Sequence, residues 1–246
     1  MTIDLHIPTC WTEVTAEQLC DIVEAVTKGT SRDEVLLALL CKFAGIKMVI
    51  GSTDEDEKNV VHTRFKDAEG RVFDLEDWQL SDFCGKLDFV FTEMPIEVAW
   101  PFKWDRYLMD TSFGKWFHAD AMMLRFAMTG DIESLKGAMR DLGDPHPNLQ
   151  GDTPAFVLLL RWYDLFKNWL QVKYPLVFQK AEQGSEEGPA SPVETRQNIM
   201  LMLNDNRPQD NELIEKSNVH DVLAALQHKI EYAKQFEEQM SNIKHG

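Results

Sequence analysis

No apolar run in this chain approaches the roughly 20 residues that a membrane helix needs. The longest, Val35 to Cys41 and Ala155 to Leu160, both end at a charge, so no membrane span is predicted. Cysteine is scarce: four in 246 residues, at Cys10, Cys20, Cys41 and Cys84, without a C-x-x-C pair. Each has apolar or aromatic neighbours, which points to reduced, buried thiols in a cytoplasmic protein. A Cys20–Cys41 bridge between the first two helices is the alternative. Basic charge is short too, with 25 Lys and Arg against 41 Asp and Glu, a formal −16. Nucleic-acid backbones and anionic membranes take their affinity from Lys and Arg, so neither is an expected partner. The first residues, Met1 to Pro8, carry no basic segment and no apolar core, so no secretory signal is read. The expected location is the cytoplasm, with the mature chain starting near Met1.

Motifs for chemistry are missing as well. A phosphate-cradling loop needs glycines spaced around Lys-Ser/Thr, whereas Gly114-Lys115 runs into Trp116 and Gly85-Lys86 into Leu87. The acidic run Asp54 to Asn59 has Lys58 at a ligand position and Asn59 where a calcium loop has glycine, so it reads as an exposed turn. His118 and Asp120 are two apart on a predicted helix, hence roughly 200° apart around its axis, and do not converge. The expectation is that His118 partly faces the aromatic core while Asp120 caps or salt-bridges. His220 and His228 are two turns apart, about 12 Å, too far to share a metal. No G-x-S-x-G is present. No catalytic, cofactor-binding or metal residue is predicted, and no cofactor.

What the chain does have is apolar surface: 44% hydrophobic residues, with 14 Phe and seven Trp, enough to offset chain entropy and build a core. Leu19, Ile22, Val23 and Val26 fall on one face of a helix over Thr15 to Val26, with a Thr15/Gln18 capping box and Gly29 as the stop. Ser31 with Glu34 repeats the device before Val35 to Ala44, a helix apolar nearly all round. Lys47 to Ile50, Val60 to Phe65 and Arg71 to Leu75 read as strands, the last two joined by Asp67-Ala68-Glu69-Gly70. A short helix follows from about Trp78 to Lys86. From Trp100 onward the pattern is helical: Thr111 or Ser112 to Met128, Asp131 to Gly143, Thr153 to Tyr174, a restart at Ser191-Pro192, and a last long helix with Val219, Leu223, Leu226, Ile230 and Ala233 as its stripe.

The predicted class is α+β, predominantly helical, with a small antiparallel sheet near the N-terminus. Four regions are marked out: an α+β module over 1–99, a helical module over 100–180, a flexible linker over 181–190 where large apolar side chains disappear, and a helical segment over 191–246. Two features suit binding. The segment Trp100, Phe102, Trp104, Arg106 and Tyr107 has the composition of interface anchors. Its plainer reading is a loop that covers the core. The stripe of the last helix could dock on a partner, dimerise, or pack on its own domain.

The order of landmarks resembles a family encoded in phages and prophages of gut Bacteroidetes, often among tail genes. The matching residues are Ile7-Pro8, Trp11 and Thr15-Ala16-Glu17-Gln18-Leu19; then Gly70, Phe73, Leu75, Leu80 and Leu87 to Phe91. Later come Thr111-Ser112-Phe113-Gly114 with Phe117 and Asp120, Trp162 with Trp169, and Tyr174-Pro175 with Phe178. Met139-Arg140-Asp141 departs from the small-Leu-Tyr element of that family. The resemblance implies a tail-assembly, chaperone-like accessory with a protein partner, such as a phage tail protein, and brings no catalytic residue. The functional expectation is a non-enzymatic binding or assembly protein in the host cell cytoplasm. The alternatives are an acidic protein that mimics DNA or binds a basic host protein, and an enzyme of unrecognised type.

Overall fold

The computed structural model describes residues 7–55, 61–144, 153–178, 192–204 and 207–244. The acidic residues 56–60, most of the loop near 144–148, Ser191 and the whole 181–190 stretch lie outside the described residues. The fold is α+β and predominantly helical, with one small antiparallel sheet. The chain divides into two units, one of residues 1–101 with 152–159, the other of residues 102–151 with 160–246.

In the first unit, α1 (Ala16–Lys28) starts at the expected capping box: the Thr15 hydroxyl accepts from Gln18 N, and the Gln18 side chain accepts from Thr15 N. Gly29 does end the helix, but for a different reason than a left-handed stop. Its φ is −71°, and a Cβ there would lie 2.3 Å from Val35 Cγ2, so it is closeness to the next helix that excludes a side chain. In α2 (Arg32–Phe43) the Ser31 hydroxyl accepts from Glu34 N, while the Glu34 carboxylate reaches back one residue further and accepts from Thr30 N. Leu39 and Leu40 are fully buried on α2, as is Leu19 on α1.

Three strands follow as a meander, β1 (Lys47–Glu55), β2 (Val61–Lys66) and β3 (Val72–Glu76), in spatial order β1-β2-β3. β1 is longer than its apolar residues suggest. It passes an irregularity between Met48 and Thr53 and pairs Asp54 with His62, so the acidic residues 54 and 55 belong to a strand and not to a turn. The four-residue connection 67–70 closes on Gly70 at φ 86°, with Arg71 N donating to the Asp67 side chain. Phe65 and Leu75 of the sheet bury against Ile46, with Leu37 and Cys41 of α2 and Leu80 and Phe83 of α3 (Asp77–Lys86) packed around them. Two-residue alternation puts Leu75 and Phe73 on that face and leaves Val72 exposed.

The second unit contains the helical hairpin α4 (Phe113–Thr129) and α5 (Ile132–Asp141), turned by Gly130 at φ 69°. Asp131 caps α5, accepting from Glu133 N and the Ser134 hydroxyl. α6 (Pro154–Lys173) begins with residues assigned to the first unit, and its remainder runs through the second. α7 (Pro192–Asn204), α8 (Asn211–Lys216) and α9 (Val219–Lys244) complete it. Val219 and Leu223 of α9 are fully buried, Leu226 nearly so. No helix among the described residues is long and apolar enough to cross a membrane.

Of the four thiols, Cys20, Cys41 and Cys84 are half-buried and all are free, so the Cys20–Cys41 bridge is not formed. Burial pushes these three thiols above the ordinary range. Cys10 is exposed, contrary to expectation, because it precedes a single 3-10 turn that turns Trp11 inward instead.

Candidate functional site

The aromatic segment after residue 100 meets a ladder of rings on α6. Trp162, Phe166 and Trp169 recur at helical spacing, with Trp162 stacked on Phe166 at 5.3 Å and Phe166 on Trp169 at 6.0 Å. Phe102 and Trp104 stack on each other at 4.5 Å, and both present edges to Trp162. Trp162 Nε1 donates to the Arg106 carbonyl, and Tyr107 packs 4.7 Å from Trp169. Trp100, in the other unit, donates to the Ile96 carbonyl. All five predicted anchors are therefore half-buried; the rings of Phe102, Trp104 and Tyr107 join the α6 cluster, and Arg106 contributes its backbone carbonyl. Leu108, next in line, is fully buried at φ 56°, a left-handed backbone on a branched side chain. Asp105 supports that turn, its carboxylate accepting from Tyr107 N and Met109 N.

His220 closes the ladder. It is buried, stacked beside Tyr174 and edge-on to Trp169. Its Nε2 lies 2.7 Å from the Tyr107 carbonyl, which only accepts, so Nε2 carries the proton. Nδ1 then accepts from the Tyr174 hydroxyl at 3.1 Å. Burial lowers the His220 pKa, offset in part by the Tyr107 carbonyl. The neutral ring thus ties the 100–110 segment, the end of α6 and the start of α9. Beside it, Val219 N donates to the Thr111 carbonyl and Phe113 N to the Ser217 carbonyl.

A second polar node lies where α4 meets α6. Asp120 accepts from the Tyr163 hydroxyl at 2.7 Å and from Lys167 Nζ at 2.9 Å, the salt bridge that its sequence setting led us to expect. Burial first, then the Asp120 charge, pushes the Tyr163 phenol far above its ordinary value. The ammonium of Lys167 also sits over the rings of Phe178, Tyr163 and Trp116. Both polar partners of this carboxylate are spent on holding two helices together.

His118 does not face the aromatic core. It is exposed and meets Asp141 across the α4–α5 hairpin, at the side of a groove of about 470 Å³ that also includes Arg125, Ser134 and Arg140. Here a histidine, a carboxylate and a hydroxyl line one groove. They do not form a catalytic relay: Ser134 precedes Asp141 by seven residues, about 10 Å along α5, and its proton already goes to Asp131. In the first unit a cleft of about 460 Å³ between α2 and α3 has Leu36, Leu37 and Leu80 for a floor and Asp33, Asp77 and Cys84 around it. No group of three or more His, Cys, Asp or Glu suited to a metal ion occurs among the described residues.

The feature that sequence reasoning missed is the far half of α9. From Glu231 to Ser241 every residue is exposed, yet Tyr232, Phe236 and Met240 recur at intervals of four and stand 71%, 54% and 42% exposed. Lys229 lies on the same face, three residues before Tyr232 and seven before Phe236. Its ammonium donates to the carbonyls of Met202 and Leu203, so it caps the end of α7. That face of α9 is covered up to Lys229 and bare beyond it. The interval-of-four spacing is the available signal, masked by the charged residues interleaved with it.

No family model, curated protein or solved structure matches the chain.

Proposed function

We propose that this chain is a binding or assembly protein that acts by contact with other proteins, without chemistry on a small molecule. The observation that carries this reading is the bare stripe Tyr232, Phe236 and Met240 on a helix whose base is anchored in the second unit. Two aromatic rings and a methionine left in water on a regular helix form the side of a helix-in-groove or helix-pairing contact. Elsewhere in that unit the Trp and Tyr side chains of the aromatic ladder serve cohesion, with Trp162 and Tyr174 buried and Tyr107 and Trp169 half-covered. The resemblance to phage tail-region proteins supplies the setting: a tail-assembly accessory in the host cytoplasm.

Copurification from phage-induced cells tests this reading, using tagged wild-type protein and a Phe236→Glu variant. Tail proteins retained by the wild type and lost with the variant are the expected outcome. Their absence from both, under conditions that preserve other assemblies, counts against it. A partner held mainly by the −16 charge would instead be released steeply by salt and be indifferent to Phe236, which is the signature of the acidic-mimic alternative.

A further inference from the structure

We infer that the cleft between α2 and α3 is a binding site for a short linear diamine, with one ammonium at Asp33, the other at Asp77, and the methylene chain along the leucines between them. The site belongs wholly to the first unit and is independent of the contact surface on α9.

The cleft has the size and lining of a small-molecule site. Its volume of about 460 Å³ falls within the roughly 300–1,000 Å³ of such sites, which are mostly apolar with a few placed polar groups. Leu37 and Leu80 of its floor also pack on the core of Ile46, Phe65 and Leu75, so the fold of the unit fixes their position.

Charge selects the class of ligand. Arg32 lines the cleft against Asp33, Asp77 and Asp88, one basic group to three acidic, a difference of −2. The guanidinium is already engaged, paired with Asp88 at 3.0 Å and lying 4.9 Å over the Phe91 ring. Asp33 and Asp77 form no hydrogen bond or ion pair among the described residues. Each stands in the first turn of its helix, where the helix dipole favours a carboxylate. The dipole accounts for either residue alone, but not for an apolar trough flanked by both. An anion is repelled here, and a neutral apolar molecule makes use of neither carboxylate.

Position sets the span. The Arg32–Asp88 pair brings the start of α2, and with it Asp33, to the far end of α3. Asp33 also adds to the burial that raises the pKa of Cys84. Asp77, Ser81 and Cys84 recur at intervals of four and three on one face of α3, and Asp77 precedes Cys84 by seven residues, about 10 Å along the axis. The two open carboxylates thus stand on the order of 10 Å apart. An ammonium bonds each at about 2.8 Å, which leaves on the order of 5 Å for the ligand's own span. Four or five methylenes cover that distance and lie along Leu36, Leu37 and Leu80. Cys84 remains a thiol at neutral pH, so it offers no nucleophile and the site binds without transforming.

The test is calorimetric titration of the full chain with 1,5-diaminopentane at about 0.15 M salt, where exposed charges elsewhere are screened. The expected result is one site per chain, filled about tenfold more tightly by the diamine than by pentylamine, the worth of a second charge-assisted hydrogen bond. Asp33→Asn and Asp77→Asn should each bring the diamine down to the pentylamine level, with circular dichroism and melting midpoint near those of the wild type. Ser81→Phe, which fills the cleft, should remove both ligands, whereas Glu17→Gln, at an exposed carboxylate of α1, should change nothing. Magnesium ion, with the same charge and no methylenes, should not displace the diamine at equal concentration. A diamine held no better than pentylamine, displaced equally by magnesium, or indifferent to both Asn variants is an adventitious cation on an acidic surface, and overturns the inference.

Discussion

His220 favours its neutral form because both ring nitrogens are engaged and the ring is buried. Its lowered pKa is a statement about stability, since the unfolded chain binds a proton near pH 6.5 that the folded chain resists. The side chain's contribution is therefore complete above about pH 6.5 and is lost as the pH falls from there toward the folded value. Asp105 and Asp221 pull the other way and Lys173 adds to the lowering, but burial dominates. Urea midpoints measured from pH 7.5 down to 5 should decline, and His220→Gln, which has no proton to gain, should flatten that part of the decline relative to wild type. A wild-type curve no steeper than the variant's would contradict the assignment. At Gly29 the expectation is steric. Gly29→Ala places a methyl 2.3 Å from Val35 Cγ2 and 2.9 Å from the Ala25 carbonyl, and neither a β-branched side chain nor a backbone oxygen can swing aside. A loss of about 1–3 kcal/mol in chemical denaturation is expected, the usual cost of overpacking.

Local elements were legible in the sequence wherever the cause is local. The Thr15/Gln18 box, the Asp131 cap and the alternation through Phe73 and Leu75 all rest on neighbours within four residues, and all are present. Thr15→Ala should accordingly cost about 1 kcal/mol. Phe65→Ala, which empties a fully buried position where sheet, α2 and α3 meet, should cost roughly 3–5 kcal/mol. A smaller loss at Phe65 than at Thr15 would mean that the sheet is not part of the cooperative core. What could not be read depends on residues far apart in the chain. The Asp141 that holds His118 is 23 positions away, and the carbonyl that fixes the His220 tautomer is 113 away. Periodicity reports which face of a helix is apolar but not how far along its length another element covers it. The stripe legible in the sequence, Val219, Leu223, Leu226, Ile230 and Ala233, accordingly runs from buried positions out to the exposed Ala233 and does not include Phe236.

Across the whole molecule, 41 carboxylates against 25 basic side chains leave repulsion spread over the surface, countered by local ion pairs. These pairs are mostly exposed, as with Lys28–Glu24 and Lys216–Glu212, and an exposed pair contributes about 0–1 kcal/mol, often nothing measurable. Among the described residues the best-enclosed one, Lys167–Asp120, is only partly open to solvent and resists screening. Added salt therefore weakens two opposing effects, and the one with longer reach loses more. Between about 0.01 M and 0.15 M salt the screening length falls from about 30 Å to about 8 Å, which removes repulsion between distant carboxylates while contacts near 3 Å survive in part. The melting midpoint of the chain should rise over that range, measured by a thermal scan at each salt concentration. A midpoint that falls instead would show that the surface ion pairs, and not the net charge, govern the electrostatic share of stability.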